Sequence, residues 1–556
     1  MSKRTILATT SAVVCAIFGA ASAGAQEAGA PAETAPSEEI VVVGDRVGLL
    51  ETTPSSTVFG LGMSLLETPR SATMVSDTTL ERYGIEEVDD LISISPGTFT
   101  ASFYGVKGAV NTRGTLAESY FRGFKRIENR GTYPTPLGAT SQVELVRGPP
   151  SPLYGAGKVG GLLNIVPRTA QADGGTAYID EIEGDLEVTV GSYGKFNAAG
   201  GMGIPLTFGS VEGGLFGYLE IEDSDSYYRG MHPEHQLLQL SSDFDLTPTL
   251  TMSMGLMMYR AEGYVQTPGW NRLTQDLIDN QNYIIGQDTT LVDTNGDGRL
   301  QPSEVSGGTL VSYYFGGPPG APPARFTLDT PGAGTTVKLD PRTIYISDRD
   351  FSETDTNTFY FELSKEIGVN TLSFEMFYDD LLNDRFVSYG FPAHYDSSVY
   401  EARLHYDFEL GNEDSFFHAN STAGVSYRNV NALRMETYNS GYIALDRRDL
   451  SVGATPTDIM DDPFSTDGGL GWDIAVDTNT EDTGLFALSN MTFGGLINLL
   501  IGGRMDWYDV TTINRGPTCF CGVDNVYVSA DADEFSWNGS LSINAPFGLF
   551  PYYTYA

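Results

Sequence analysis

Apolar and polar residues alternate along many stretches in the C-terminal two thirds of the chain. From about residue 185 onward, apolar side chains occupy every second position, as at Leu186, Val188 and Val190, and polar residues stand between them. The same period returns at residues 215–222, 250–256, 359–364 and 372–376. A period of two gives a β-strand one apolar and one polar face, which suits a membrane barrel with a wet interior, although a β-sandwich gives the same alternation.

The lengths of the connections separate these two folds. The pattern predicts about thirteen strands, near residues 185, 194, 211, 237, 251, 356, 371, 399, 416, 481, 496, 533 and 549. Short turns alternate with long connections, of which residues 263–355 and 431–480 are the longest. An outer-membrane barrel has short turns at one end and long loops at the other, whereas a sandwich has no reason to alternate. We therefore predict a transmembrane antiparallel β-barrel over residues 173–556.

The preceding region, residues 56–172, predicts a different kind of domain. Residues 71–75 are typical of a strand, Asp77 is placed to cap a helix over residues 78–83, and a second helix is predicted over residues 86–92. The alternation of strand and helix indicates a small mixed α/β domain.

The most distinctive stretch of that domain is residues 143–168, VELVRGPPSPLYGAGKVGGLLNIVPR. Two short apolar runs flank a segment rich in glycine and proline, which predicts a compact, turn-rich element. Gly155, Gly157 and Gly160 satisfy the pattern G-x-G-x-x-G, but a dinucleotide site needs a helix after it, and a second strand follows here. Val159 stands where a phosphate-binding loop has Ser or Thr, so a nucleotide site is disfavoured.

This stretch resembles the plug domain of TonB-dependent outer-membrane receptors, whose usual form is close to VEVLRGP…LYG…GG.INIV. Further resemblance lies in ETPRS, VDDLI, NTRG and FRGF, which begin at residues 67, 88, 111 and 121. The first two motifs are most typical of the siderophore-receptor branch. The family implies a plug inside a barrel of about 22 strands, so about nine strands are absent and we expect a C-terminally truncated barrel.

The N-terminal residues predict export and coupling. Residues 1–25 are typical of a secretory signal peptide, and no later stretch is long and apolar enough for a transmembrane helix. Residues 26–55 form a flexible segment with one β-prone run, which alone could be any edge strand. Its position resembles the TonB box, which pairs by strand addition with the TonB energy-coupling complex. The residues of this box are Glu39, Ile40, Val41, Val42 and Val43.

Charge and cysteine content restrict the partners. The chain has 32 Lys and Arg against 72 Asp and Glu, a net charge of −40, so it repels phosphates and no nucleic-acid partner is expected. Cys519 and Cys521 remain after the signal peptide is removed. A disulfide across so small a ring would be strained, and both a bridge and two free thiols stay open. A metal site there lacks further His or Cys ligands nearby.

The sharpest local motif is DTNGDGRLQPSE, residues 293–304, in the longest predicted loop. It fits the calcium-loop pattern D-x-[DN]-x-[DN]-G-x₅-E, whose hard oxygen ligands suit Ca²⁺. Because residues 289–292 are not helical in pattern, we expect a single calcium loop that braces an outer loop, with a metal-free turn as the alternative. The candidate ligands are Asp293, Asn295, Asp297, Arg299 through its carbonyl, and Glu304.

The resemblance also implies where substrate is bound. In the family, outward-facing plug loops contact substrate together with barrel residues, and the matching segments here are residues 102–107 and 130–136. Tyr104, Arg130 and Tyr133 are the candidate contacts, with packing of the plug as their alternative role.

Other polar residues have simpler interpretations. The plug arginines, including Arg113, Arg122 and Arg147, are expected to pair with acids on the lumen wall. His232 and His235 could touch a metal, but solvated loop residues are the interpretation we favour.

No nucleophile, base and orienting residue form a recognisable set, so we do not expect an enzyme. The resemblance implies TonB-dependent active transport across the outer membrane, of ferric siderophores, with outer-membrane lipid around the barrel. Uptake of a carbohydrate or another scarce nutrient is the alternative within transport. A non-transporting surface adhesin or porin is the alternative of another class. No cofactor is required, apart from Ca²⁺ in the loop described above.

Overall fold

The computed structural model describes most of the chain after residue 59. The described residues are 60–63, 68–101, 106, 108–155, 157–171, 177–263, 275–285, 289–291, 305–307, 310–312, 335–340, 342, 351–386, 393–412, 414–436, 443–445, 472, 474–515, 527–545 and 549–555. Several predictions lie outside these ranges and stay predictions. They concern the signal peptide, the TonB box at residues 39–43, Tyr104, the calcium motif at residues 293–304, and Cys519 with Cys521.

The plug domain is a mixed α/β domain, as predicted. Its elements are β1 (Ser71–Ser76), α1 (Asp77–Tyr83), a 3₁₀ helix (Val88–Ser93), β2 (Thr98–Ala101), β3 (Ala109–Thr112), β4 (Thr115–Leu116), β5 (Glu118–Phe121), β6 (Phe124–Lys125), β7 (Thr140–Arg147), a 3₁₀ turn (Pro152–Tyr154) and β8 (Gly161–Pro167). Five strands form one sheet in the order β1-β7-β8-β5-β6, in which only β5 and β8 run parallel. Strands β2, β3 and β4 form a separate small sheet.

The two predicted helices differ from expectation in detail. Ser76, rather than Asp77, caps α1, because the Ser76 hydroxyl accepts a hydrogen bond from the Thr79 amide at 3.4 Å. Asp77 lies in the first turn, where its negative charge is favourable at the positive end of the helix dipole. The second predicted helix, residues 86–92, forms the short 3₁₀ helix Val88–Ser93 instead, with Glu87 and Asp90 in a capping box.

Residues 143–168 form the centre of the plug sheet. Val143 and Leu145 on β7 are fully buried, and Leu163 on β8 is 2% exposed. Gly161 opens β8 with φ of 118°, and a methyl group there would collide with the carbonyl oxygen of Val146. Only glycine therefore allows β7 and β8 to approach at this position.

The rest of the chain is almost entirely strand. Its described part contains a 3₁₀ turn (Ser192–Gly194) and the helix α2 (Gln275–Asn280). Its strands, in chain order, are β9 (Glu183–Val190), β10 (Phe196–Phe208), β11 (Val211–Asp223), β12 (Glu234–Thr247), β13 (Leu250–Glu262), β14 (Asn282–Ile285), β15 (Thr289–Leu291), β16 (Val305–Gly307), β17 (Leu310–Ser312), β18 (Thr335–Lys338), β19 (Phe351–Ile367), β20 (Asn370–Phe386), β21 (Ala393–Gly411), β22 (Phe417–Glu436), β23 (Ile443–Leu445), β24 (Ile474–Phe493), β25 (Ile497–Asn514), β26 (Tyr527–Ile543) and β27 (Tyr552–Tyr555). No helix among the described residues has the length and apolar content needed to cross a membrane.

Thirteen of these strands form one antiparallel sheet, which we call the wall sheet. It contains β9 to β13, β19 to β22 and β24 to β27, each paired with its neighbours in chain order. The remaining strands lie in the long connections and pair as β14 with β18, β15 with β16, and β17 with β23. The number of strands and their positions agree with the prediction from the period-two pattern.

The connections of the wall sheet alternate as predicted. Two or three residues separate β10 from β11, β12 from β13, β19 from β20, and β24 from β25, and these turns share one end of the sheet. Long connections join β13 to β19 and β22 to β24 at the opposite end. We call these the short-turn end and the long-loop end.

We expect Gly161→Ala to open the β7–β8 pair, because the new methyl group meets backbone and the left-handed φ is unfavourable for alanine. The expected loss is about 3 kcal/mol in the free energy of local opening, measured by hydrogen exchange of β7 and β8 amides. Gly97→Ala is the matched control, since Gly97 has φ of 75° but open space around it. It should cost only about 1 kcal/mol. Equal effects of the two substitutions would contradict the prediction.

Candidate ligand-binding cavity between plug and wall

The plug domain and the wall sheet share one apolar core. Phe121, Phe124 and Leu137 of the plug are buried in the same cluster as Tyr360 and Phe377 of the wall. The rings of Phe124 and Phe377 stack 5.1 Å apart, with only 7° between their planes. The side chains of Tyr360 and Phe377 therefore face inward and pack against the plug.

Arg122 and Arg126 of the plug are each held by an acid of the wall. Arg126 donates to both carboxylate oxygens of Asp379, at 2.8 and 3.2 Å, and to the Thr358 hydroxyl at 3.1 Å. Arg122 donates to Glu362 at 3.0 Å. Burial opposes the charge on Arg126, but Asp379 more than offsets it and raises the pKa of the guanidinium. The predicted pairing of Arg122 with a wall acid is confirmed.

The same prediction is wrong for Arg147. Its guanidinium donates to the hydroxyls of Thr73 at 2.7 Å and Ser95 at 2.5 Å, both within the plug. Burial, with Arg113 nearby, lowers the pKa of Arg147. Position explains the difference, because β7 is an inner strand of the plug sheet whereas Arg122 lies in the turn between β5 and β6. Arg113 itself is exposed.

Three wall arginines hold the plug through its main chain. Arg403 donates to the Gly123 carbonyl at 3.0 Å, Arg428 to the Lys125 carbonyl at 2.8 Å, and Arg504 to the Leu153 carbonyl at 3.2 Å. A wall acid fixes each guanidinium. Glu401 pairs with Arg403 and Arg428 at 2.7 and 2.6 Å, and Asp506 pairs with Arg504 at 2.5 Å.

The plug separates two cavities inside the wall. The outer cavity, of about 610 Å³, lies towards the long-loop end between plug residues 125–133 and the strands β20 to β25. The inner cavity, of about 1290 Å³, lies towards the short-turn end and is lined by Val369, Phe408 and Asn420 among others. The volume of the outer cavity is in the range of small-molecule sites.

Two of the three candidate substrate contacts line the outer cavity. Tyr133 is 8% exposed, and its hydroxyl donates to the Ile127 carbonyl at 3.4 Å. Burial raises the pKa of Tyr133, so its hydroxyl is a neutral donor at ordinary pH. Arg130 is more than half exposed at the cavity and pairs with Glu128 at 2.9 Å. Their role in binding stays a prediction, and Tyr104 lies outside the described residues.

Glu128 joins two cations at the edge of the outer cavity. Lys158 donates to the same carboxylate oxygen as Arg130, at 2.8 Å. Partial burial opposes ionisation of Glu128, but the hydrogen bonds from Lys158 and Arg130 prevail and lower the pKa of its carboxyl group. Glu128 is therefore ionised at neutral pH.

The wall side of the outer cavity was not identified from the sequence. Arg434 donates to both oxygens of Glu436, at 2.8 and 2.7 Å, and the Tyr395 hydroxyl donates to the same carboxylate. These three residues and Arg428 occupy polar positions of the period-two pattern on β21 and β22. Period two shows that such residues face the lumen, but it gives no information on which of them meet across neighbouring strands.

The histidine pair does not form a metal site. His235 lies on β12 between Glu220 and Glu222 of β11, at 3.1 and 3.2 Å, whereas His232 is exposed and contacts Asp225 at 2.7 Å. No group of three or more His, Cys, Asp or Glu side chains in the described ranges is arranged to hold a metal ion. His235 is thus an ion-paired wall residue rather than the solvated loop residue we favoured.

Comparison with known proteins supports the same organisation. The family model of the TonB-dependent Receptor Plug Domain matches residues 64–162. The Ferric-pyoverdine 358 receptor of Pseudomonas putida is 22% identical over 230 residues, which are 40% of this chain and 27% of that protein. The Ferripyoverdine receptor of Pseudomonas aeruginosa is 23% identical over 198 residues, which are 34% of this chain and 23% of that protein.

Solved structures show the same fold. The FpvAI–pyocin S2 complex matches with a TM-score of 0.64 at 14% identity, over 90% of this chain and 57% of that chain. The ferric-catecholate import receptor Fiu from E. coli K12, in its open form, has a TM-score of 0.61 at 14% identity, over 88% of this chain and 70% of that chain. Plug and antiparallel barrel are thereby confirmed as the fold. The chain spans about 57% of the first of these chains, and truncation of the barrel stays a prediction.

We expect Asp379→Asn to detach the plug locally from β20, because it leaves Arg126 as a buried cation without its carboxylate. Removal of one partner of a buried ion pair costs about 3–5 kcal/mol. Hydrogen exchange of residues 121–127 would measure that loss. Asp355→Asn is the matched control, since the side chains of Asp355 and its partner Arg260 are 49% and 37% exposed. Asp355→Asn should lower the free energy of local opening by less than about 1 kcal/mol. A similar loss in both variants would refute the role of the buried Arg126–Asp379 pair as an anchor of the plug.

Proposed function

Because this chain belongs, by its plug domain and its fold, to the TonB-dependent receptors of the outer membrane, we propose that it imports ferric siderophores by energy-coupled transport. The family consists of transporters rather than enzymes. The observation that carries the proposal is the outer cavity, which lies towards the long-loop end between plug residues 125–133 and the wall sheet.

Two of the residues that anchor the plug, Arg126 and Arg428, also line this cavity. Arg428 lines the outer cavity and donates to the Lys125 carbonyl, and Arg126 lines it while paired with Asp379. A ligand that competes for either guanidinium therefore weakens an anchor of the plug. Ligand binding in the outer cavity and loosening of the plug are then one event, after which a pull on the N-terminal segment opens the passage.

The choice of ferric siderophores rests on the relatives. Both curated relatives are named as receptors of ferric pyoverdine, and Fiu is named as an import receptor for ferric catecholates. The test is uptake of radioactive iron by cells that carry the full-length protein, supplied with a panel of ferric siderophores. Uptake of an oligosaccharide, without uptake of any iron chelate, would refute siderophore transport and favour carbohydrate transport.

We expect deletion of residues 40–43 to abolish uptake while ligand binding to purified protein is unchanged. The deletion removes the strand that would pair with TonB and leaves the cavity intact. Deletion of residues 28–31, an equal length of the same N-terminal segment, is the control and should transport normally. Uptake that survives the loss of residues 40–43 would favour a passive porin.

We also propose that residues 293–304 bind Ca²⁺. The described strands on either side support it, because β15 pairs with β16 and places Leu291 opposite Val305. The residues that flank the motif are therefore paired with each other, which suits a chelating loop between them. Asp293, Asn295, Asp297, Arg299 and Glu304 would supply the oxygens.

We expect calorimetry on the full-length protein to detect Ca²⁺ binding with a Kd between about 10⁻⁵ and 10⁻³ M. Asp297→Asn combined with Glu304→Gln should abolish it, because both substitutions remove charged oxygens of the motif. Asp279→Asn, which changes an acid of the same long connection outside the motif, should have no effect. Absence of heat in the unaltered protein at millimolar Ca²⁺ would refute the site.

A further inference from the structure

Cations are concentrated in the outer cavity of a strongly acidic protein. Of the described side chains that line it, six are cationic and three are carboxylates, whereas the chain as a whole carries 32 cations against 72 acids. The cations are Lys125, Arg126, Arg130, Arg385, Arg428 and Arg434. The carboxylates are Glu128, Glu436 and Asp482. The balance of charge at this cavity is thus the reverse of that of the molecule.

Two further acids in the described part of the wall lie behind these cations. Asp379 and Glu401 are 2% and 5% exposed, are absent from the cavity lining, and hold Arg126 and Arg428 in place. These carboxylates orient the guanidinium groups and reduce the cost of burying them. A ligand in the cavity therefore meets the cationic groups first.

Aromatic side chains share the same lining. Tyr133, Tyr154, Tyr395 and Tyr508 line the outer cavity together with apolar residues such as Val399 and Val430. Tyrosine rings offer flat surfaces for stacking, and planar guanidinium groups recognise paired oxygen anions in a fixed geometry. The combination suits a ligand with both a flat ring and oxygen anions.

The sign of the charge reverses on the other side of the plug. Among the residues that the structure describes, the inner cavity is lined by three arginines, by His405 and by eight carboxylates. The carboxylates are Asp77, Glu144, Glu183, Asp185, Glu362, Glu375, Asp407 and Glu409. Cations and acids are therefore segregated along the axis of the wall, with cations above the plug and acids below it.

We propose that the ligand is an anion, with carboxylate or phenolate oxygens on a flat ring, which the outer cavity attracts and the inner cavity repels. The transport part of this inference rests on the proposed function. Repulsion in the inner cavity favours release of an anion at the short-turn end, because carboxylates outnumber cationic groups in its described lining. A neutral ligand would gain nothing from this segregation, and a cationic ligand would be held in the wrong cavity.

The Arg130–Glu128 pair allows a test with an internal control. Either Arg130→Gln or Glu128→Gln breaks the Arg130–Glu128 pair, and Glu128→Gln also releases Lys158. A purely structural role therefore predicts that both substitutions act in the same direction, with the larger effect for Glu128→Gln. Recognition of an anion predicts opposite directions, because one change removes a cation from the cavity and the other removes an acid. Arg515→Gln is the outside control, since Arg515 pairs with Asp477 and does not line the cavity.

The probes are a ferric tris-catecholate of charge −3 and a neutral ferric tris-hydroxamate of similar size, titrated into the purified full-length protein. For the anionic probe, we expect Arg130→Gln to weaken binding about fivefold and Glu128→Gln to strengthen it by a similar factor. Arg515→Gln should change it by less than about twofold. The neutral probe should bind more weakly and respond to none of the three substitutions.

Weaker anion binding in both cavity variants, or tighter binding of the neutral probe, would overturn the inference. Uptake assays separate this failure from failure of the proposed function. Coupled uptake of the neutral chelate alone would support siderophore transport and refute an anionic ligand. Tight, charge-dependent binding of the anionic probe without uptake of any chelate would support the anionic site and refute the transport proposal.

Discussion

The structure depends on the need to neutralise every charge enclosed between plug and wall. Arg126 of the plug and Asp379 of β20 are each almost completely buried, and neither could remain there alone, because an unpaired charge in such surroundings costs several kcal/mol. The wall arginines that hold plug carbonyls obey the same constraint, since Glu401 and Asp506 fix them. The plug is thus seated by paired charges around a shared apolar core.

The sequence predicts the wall well because its signal is local. A period of two and the alternation of short and long connections need no knowledge of distant residues, and the observed strands β9 to β13 follow them closely. The sequence also predicts most elements of the plug, but it errs in the choice of the helix cap and in the type of the second helix. Ser76 takes the cap from Asp77, and the segment after Gly84 forms a 3₁₀ helix rather than an α-helix.

The candidate cavity is much less accessible to prediction. Arg126 and Asp379 are 253 residues apart in sequence, and Arg428 meets a carbonyl 303 residues away. No periodicity encodes such pairs. Arg147 is a second example of a contact that the sequence did not predict. Its motif correctly places it in the plug, but it bonds to Thr73 and Ser95 of the plug rather than to a wall acid, because β7 is an inner strand of the plug sheet. Only the resemblance directed attention to Arg130 and Tyr133 before the fold was known.

The guanidinium groups of Arg126 and Arg428 both anchor the plug and line the outer cavity. Arg428 has a fixed number of donors, and it already bonds Glu401 and the Lys125 carbonyl. An anion in the outer cavity would compete with that neutral carbonyl more effectively than with the carboxylate, because charge-assisted hydrogen bonds are about twice as strong as neutral ones. The plug contact is therefore the one that yields, whereas the wall pair stays intact. Under the proposed function, ligand binding would therefore loosen the plug without weakening the wall.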